Sequence, residues 1–231
     1  MAIIKEQATS GHGLSQIPGQ ISMSNEIRRK LIHLGSISIP VVYWFLSQET
    51  ALSILVPMTL IAIVTEILRR AFPGFERWFR SFFGPLLRPH ESSTRPEING
   101  ATFVLISACL CIAIFPKIIA ITSFAVLIIS DTASALYGRR FGKREFLRKS
   151  VEGSGAFFVT AVIVVFVVAY LSHAPREFVA FGGLASLVAM VVEGLSEGGS
   201  SIDDNMTIPM AFGAVMWGGL ELWQTGLIPV L

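Results

Sequence analysis

Seven runs of mostly apolar residues, at about 28–47, 50–68, 100–115, 117–137, 155–171, 177–194 and 207–224, divide this 231-residue chain. A helix needs about 20 apolar residues to cross the hydrocarbon of a bilayer, and lipid offers no partner for an unpaired backbone amide. The expected fold is therefore all-α: a polytopic membrane helix bundle of about seven transmembrane helices. Composition agrees, with 52% hydrophobic and 15% charged residues against roughly 25% charged in soluble domains, and a mean hydropathy of +0.65. The first and third runs are short. Pro40 and Pro57 fall inside runs, where neighbouring helices can satisfy the freed carbonyls.

The loops between the runs segregate charge. Sixteen of the 18 Lys and Arg fall on one side of the membrane, leaving Lys117 and Arg176 for the other. By the positive-inside rule the N-terminus is cytoplasmic and the C-terminus outside. Residues 1–24 lack the apolar core of a signal peptide and are expected to form a flexible tail. Residues 25–231 form one membrane-embedded domain with cytoplasmic loops 69–98, 138–154 and 195–206. With charge segregated in this way, the net +2 gives no nucleic-acid signature. Cys109 and Cys111 point to different faces of a helix, which disfavours a zinc site or a disulfide. His12 and His173 stand alone in exposed segments.

Asp131 lies within the fourth apolar run. A carboxylate there costs roughly 3 kcal/mol on insertion scales, so it marks function by default. His33, Glu66, Asn99 and Glu193 fall at the same cytoplasmic end of their runs. A transporter would place such groups near the midplane. Polar groups crowded on one face suit a site that meets a water-soluble molecule on one side and a lipid laterally, with these four beside the lipid or supporting the site.

Three loops carry the remaining chemistry. In the first, 72–83 alternates aromatics with arginines, suiting an amphipathic helix in the headgroup layer, either as an anchor or as a lid over a lipid groove. His90, Glu91 and Arg95 follow it. The second holds Arg139, Arg140, Gly142, Lys143, Lys149, Ser150, Glu152 and Gly153. Its G-x-x-x-G-K spacing is one residue short of a P-loop, and it follows a membrane helix rather than a strand. Its six cations still suit a polyphosphate. The third, around Glu197, Asp203, Asp204 and Asn205, has no cation and offers the hard oxygen ligands that Mg²⁺ takes together with phosphates. An acidic loop beside a basic one can hold a metal–nucleoside triphosphate, and phosphoryl transfer needs positioning and charge neutralisation above all.

Arg29-Lys30-x-x-His33, Asn99-Gly100-Ala101-Thr102, Asp131 with Gly138 and Gly142 after it, Lys149-Ser150-x-Glu152-Gly153-Ser154 and Asp204-Asn205-x-x-Ile208-Pro209 together resemble the polyprenol kinase family. That family contains phytol kinases, dolichol kinases and CTP-dependent diacylglycerol kinases, and is distantly similar to phosphatidate cytidylyltransferases. The resemblance implies CTP as phosphate donor, a divalent metal such as Mg²⁺, and an isoprenoid or glyceride alcohol as acceptor. On this reading Asp131, Glu152 and Lys149 are catalytic. Arg139, Arg140, Gly142, Lys143, Lys149, Ser150, Gly153 and Asn205 bind the nucleotide, and Asp131, Glu152, Asp203 and Asp204 hold the metal. A cytidylyltransferase making a CDP-lipid and a small-solute transporter are the alternatives. Small-residue pairs such as Gly182-Gly183 and Gly218-Gly219 permit close packing within a subunit or between two.

Overall fold

The computed structural model describes residues 23–84, 99–196 and 203–225. Nearly all of the expected tail, with His12, Arg88, His90, Glu91, Arg95 and Glu197, lies outside the described residues.

The first apolar run is two helices, α1 (Met23–Gly35) and α2 (Ser38–Phe45), where the sequence reading expects one. Pro40, in the first turn of α2, donates no amide and its ring clashes with the carbonyl four residues back, so the helix cannot run through Ser36. The second run is α3 (Gln48–Ala71), followed by the amphipathic α4 (Pro73–Phe83) in the loop where one was expected. The remaining runs are α5 (Gly100–Ile114), α6 (Lys117–Phe141), α7 (Val151–Ser172), α8 (Arg176–Leu195) and α9 (Asp204–Gln224). Between α6 and α7 lies a hairpin that was not expected: β1 (Glu145–Phe146) pairs antiparallel with β2 (Lys149–Ser150). Helices α3, α6, α7 and α8 are long and apolar enough to cross a membrane, and α5 is a shorter apolar helix.

The fold is an all-α polytopic bundle with α6 at its centre. Helices α1, α2, α5, α7 and α9 all pack on α6. Its buried residues run continuously from Ile119 to Ile128 and include Ala120, Thr122, Ser123 and Ala125, small enough to admit neighbours from every side. A helix that is apolar all round belongs in the interior. Helix α3, by contrast, turns Ile54, Ile61, Val64 and Ile67 outward, as a lipid-facing helix does.

Two close approaches fix where the site forms. Gly138 of α6 and Gly153 of α7 meet so tightly that a Cβ on Gly153 would stand 3.1 Å from the Gly138 Cα and 3.1 Å from the Ser134 carbonyl oxygen. The hairpin then folds back onto the end of α8, where the Arg148 amide donates to the Gly194 carbonyl at 3.0 Å. A Cβ at Gly194 would lie 3.0 Å from Leu147 Cδ1. Leu147 makes the turn at φ 54°, in the left-handed region that strains a branched side chain.

Candidate active site

The site grows from Asp131, buried on α6. Lys30 of α1 donates from Nζ to Asp131 Oδ2 at 2.6 Å and to its carbonyl at 3.4 Å. One helical turn further along α1, His33 places Nε2 3.5 Å from the same Oδ2. These residues line a cavity of about 290 Å³. Asn205 of α9 joins the polar floor, and Ile32, Phe79, Phe83 and Val104 form apolar walls. Phe79 and Phe83 come from α4, so this helix is one wall of the cavity.

A buried ion-pair relay holds α4 in place. Arg69 Nη1 donates to both Glu66 oxygens at 3.1 and 3.0 Å, and its Nε donates to Glu76 Oε2 at 2.8 Å. The guanidinium also sits 4.4 Å from the centre of the Phe79 ring, a cation–π contact. Arg80 donates to Glu76 Oε1 at 3.0 Å. Burial acts to raise the Glu76 carboxyl, but the hydrogen bonds from Arg69 and Arg80 outweigh it and hold it below its ordinary value. Glu66, expected beside the lipid or supporting the site, anchors this relay. The outer face of α4 exposes Phe72, Trp78 and Phe82, the pattern of an interfacial helix.

Lys149 joins the second half of the site. Its Nζ stands 3.0 Å from Glu193 Oε1 and 3.8 Å from Asp204 Oδ2, and Ser134 Oγ donates to Glu193 Oε1 at 2.9 Å. Burial acts to lower the Lys149 ammonium, but Glu193, Asp131 and Asp204 outweigh it and hold it above the ordinary lysine value. The influence of Asp131 on Lys149 links the two halves into one chain of alternating charge across α1, α6, β2, α8 and α9.

Several residues expected at the site have local duties. Asn99 Oδ1 accepts from the Ala101 amide at 2.7 Å and caps α5. Ser150 Oγ accepts from the Gly153 amide at 3.1 Å and caps α7. Asp203 Oδ1 accepts from the Asn205 amide at 2.9 Å and caps α9, and it also accepts from Asn205 Nδ2. Such caps are worth about 0.5–2 kcal/mol each. Glu152 Oε2 accepts from the Lys143 and Arg144 amides at 3.0 and 3.5 Å, closing the loop on itself. A Cβ on Gly142 would meet the Gly138 carbonyl at 2.3 Å, so this glycine is required by the backbone around it. Arg139, Arg140 and Lys143 are exposed around the hairpin.

The carboxylates expected to hold the metal, Asp131 and Glu152 with Asp203 or Asp204, each have partners of their own. Among the described residues no three His, Cys, Asp or Glu side chains stand together as a metal cluster. Asp131 is taken by Lys30, Glu152 by loop amides and Asp203 by its cap. Two oxygens suit a divalent cation: Oδ1 of Asp204, one of the expected ligands, and Oε2 of Glu193 are buried and have no hydrogen-bond partner among the described residues. One or two carboxylates completed by substrate phosphates is the usual way Mg²⁺ is held.

Lys30 stands in the motif Arg29-Lys30-x-x-His33, and its role at the site emerges only from its contact with Asp131. The signal was its spacing, three residues before His33, which puts both on one helix face. Ser134 carried no sequence signal, whereas Phe79 and Phe83 belong to the aromatic segment 72–83 expected to be either an anchor or a lid over a lipid groove.

No family model matches the chain, and no solved structure matches it. Its curated relatives are informative. An uncharacterized protein of Rickettsia prowazekii is 28% identical over 187 residues, 81% of this chain and 91% of that protein. A CTP-dependent diacylglycerol kinase of Saccharomyces cerevisiae is 28% identical over 213 residues, covering 83% of this chain and 72% of its own. A phytol kinase of a Synechocystis strain is 25% identical over 218 residues, 90% of this chain and 86% of its own.

Proposed function

The chain is a homologue of CTP-dependent diacylglycerol kinases and of a phytol kinase, and on that premise we propose that it phosphorylates a membrane lipid alcohol with CTP at the cytoplasmic face. The observation that carries this reading is the cavity whose apolar walls end on Lys30, His33 and Asp131. An amphiphile fits such a space, with its chain against Phe79, Phe83 and Val104 and its hydroxyl at the polar floor. Helix α4 walls this cavity with Phe79 and Phe83 and carries outward aromatics that suit the headgroup layer, which supports entry of the acceptor from the leaflet.

Lys149 binds the donor triphosphate, with Arg139, Arg140 and Lys143 around it. The acceptor oxygen attacks the γ-phosphorus, the bond from that phosphorus to the β–γ bridging oxygen breaks, and CDP leaves with the electron pair. The hydroxyl proton passes to the Asp131–His33 pair, the two acceptors nearest the cavity floor. Lys30 fixes the Asp131 carboxylate and keeps its charge matched as the proton arrives. A divalent cation, when bound, neutralises charge on the phosphates. Everything else is positioning by side chains already held in place by buried contacts, as phosphoryl transfer requires.

The test is a product assay with purified protein, divalent metal, radiolabelled CTP or ATP, and phytol, a farnesol-type alcohol or diacylglycerol. Phosphorylated lipid and CDP are the expected products. Pyrophosphate with a CDP-lipid formed from a lipid phosphate would replace this reading with a cytidylyltransferase. Flux of a solute through proteoliposomes without nucleotide turnover would replace it with a transporter.

A further inference from the structure

Two carboxylates share one lysine at the end of α8, and each keeps a buried oxygen without a donor among the described residues. Glu193 is completely buried. Its Oε1 accepts from Ser134 Oγ and from Lys149, while its Oε2 meets no donor among the described residues. Asp204 directs Oδ2 towards the same ammonium at 3.8 Å, and its Oδ1 is also without a donor. A buried acceptor left unpaired loses its hydration without replacement, and the loss is greater when it is charged. Two such oxygens on acids that face one cation therefore call for a second positive charge. Asp131, the next acid in the chain of charges, is already matched by Lys30, so that charge is needed at Glu193 and Asp204.

Lys149 differs from the acids it touches. Its side chain is 30% exposed while that of Glu193 is wholly enclosed, and it stands on a two-residue strand. A lysine ammonium is a compact point charge on a flexible stem, able to leave one set of oxygens for another without moving the backbone. The hairpin itself is tied down by the Arg148 amide on the Gly194 carbonyl, so only the side chain need swing.

We propose that Glu193 and Asp204 form the divalent-cation pair of the nucleotide site, and that Lys149 occupies their oxygens as a stand-in cation until a metal–nucleotide draws it onto the phosphates. This rests on the reading of Lys149 as a triphosphate ligand but not on the identity of the acceptor. Metal alone must compete with an intramolecular ammonium and binds weakly. A nucleoside triphosphate removes that competitor and supplies further oxygen ligands, so metal and nucleotide strengthen one another's binding, as linkage requires. The device keeps buried acids neutralised between turnovers and ties metal capture to the arrival of the donor.

The test uses the full chain in detergent with Mn²⁺ as probe and no lipid acceptor. Bound Mn²⁺ is read by electron paramagnetic resonance, with and without CTP, against protein-free blanks. Lys149→Met should bind Mn²⁺ without nucleotide about tenfold more tightly than wild type, and CTP should strengthen Mn²⁺ binding to wild type more than to that variant. Glu193→Gln and Asp204→Asn should each weaken Mn²⁺ binding in the presence of CTP by about tenfold. Lys149→Met binding no tighter than wild type, or both acid variants binding Mn²⁺ normally, would overturn the proposal. If Lys149→Met does not fold, the two acid variants in the otherwise wild-type chain decide the matter. Failure of every alcohol in the product assay, with these Mn²⁺ results intact, would remove the acceptor reading and leave the cation pair standing.

Discussion

Lys30 and Asp131, 101 residues apart in sequence, meet at 2.6 Å between α1 and α6 with both side chains almost wholly enclosed. Removing one partner of such a pair strands a buried charge, at a cost of roughly 3–5 kcal/mol, whereas replacing both by apolar groups is often neutral. Lys30→Met and Asp131→Leu should each lower the thermal unfolding midpoint, and the double variant should recover much of the loss. None of the three should turn over CTP. Recovery of activity along with stability would make the pair a structural device and remove Asp131 from the chemistry.

The glycines at the junction of α6 and α7 give a sharper separation. Gly153→Ala places a Cβ against Gly138 Cα, Ser134 O and Ser150 Oγ, an overpacking that costs about 1–3 kcal/mol. Gly155, two residues on, has nothing within 4 Å of the added Cβ, and alanine there should stabilise α7 by about 0.5–1 kcal/mol. Chemical denaturation of the two variants checks the contrast. A Gly153→Ala protein with wild-type stability but impaired CTP binding would return this glycine to the nucleotide loop.

Glu152 distinguishes a ligand from a scaffold. Its carboxylate accepts from the Lys143 and Arg144 amides, a duty that a glutamine oxygen can also perform. Glu152→Gln should therefore retain most of its turnover, and Glu152→Ala, which loses the acceptor, should raise the KM for CTP by loosening the loop. Turnover abolished in the glutamine variant would make Glu152 a metal ligand or base instead.

The α4 clamp carries a pH dependence of known sign. Glu76 is held below its ordinary value of 4.5 by Arg69 and Arg80 against the opposing effect of burial. A lowered carboxyl contributes stability that is complete above its unfolded value and lost as pH falls through its folded value. Helix α4 should stay docked at neutral pH and release only below 4.5, visible in the ¹⁹F spectrum of 5-fluorotryptophan at Trp78. Glu76→Gln should weaken docking already at neutral pH and remove that acid transition. Arg77→Ala, on the exposed side of α4, should change stability by no more than about 0.5 kcal/mol.

Much of the site was legible because its residues are chemically improbable where they stand. A carboxylate in the fourth apolar run, a basic loop and an acidic one need no tertiary information to be noticed. Their division of labour was not legible. Ser150, Asn99 and Asp203 are residues that cap helices and residues that bind phosphate or metal, and composition cannot separate the two uses. Glu193, expected beside the lipid or supporting the site, pairs with Lys149 because the hairpin folds back onto Gly194. Nothing in the local sequence 143–150 signals that contact.

The sequence by itself determined the class of structure and marked the segments that make up the candidate site, since hydrophobic length, charge segregation and the cost of a charge in lipid act on each segment independently. Only the tertiary structure decided which charges pair. Partners such as Lys30 and Asp131, or Lys149 with Glu193 and Asp204, come from distant helices, and their distances depend on how closely α6 approaches α1 and α7. That approach is set by packing at Gly138, Gly153 and the small residues of α6, and packing is a property of the assembled bundle rather than of any one segment.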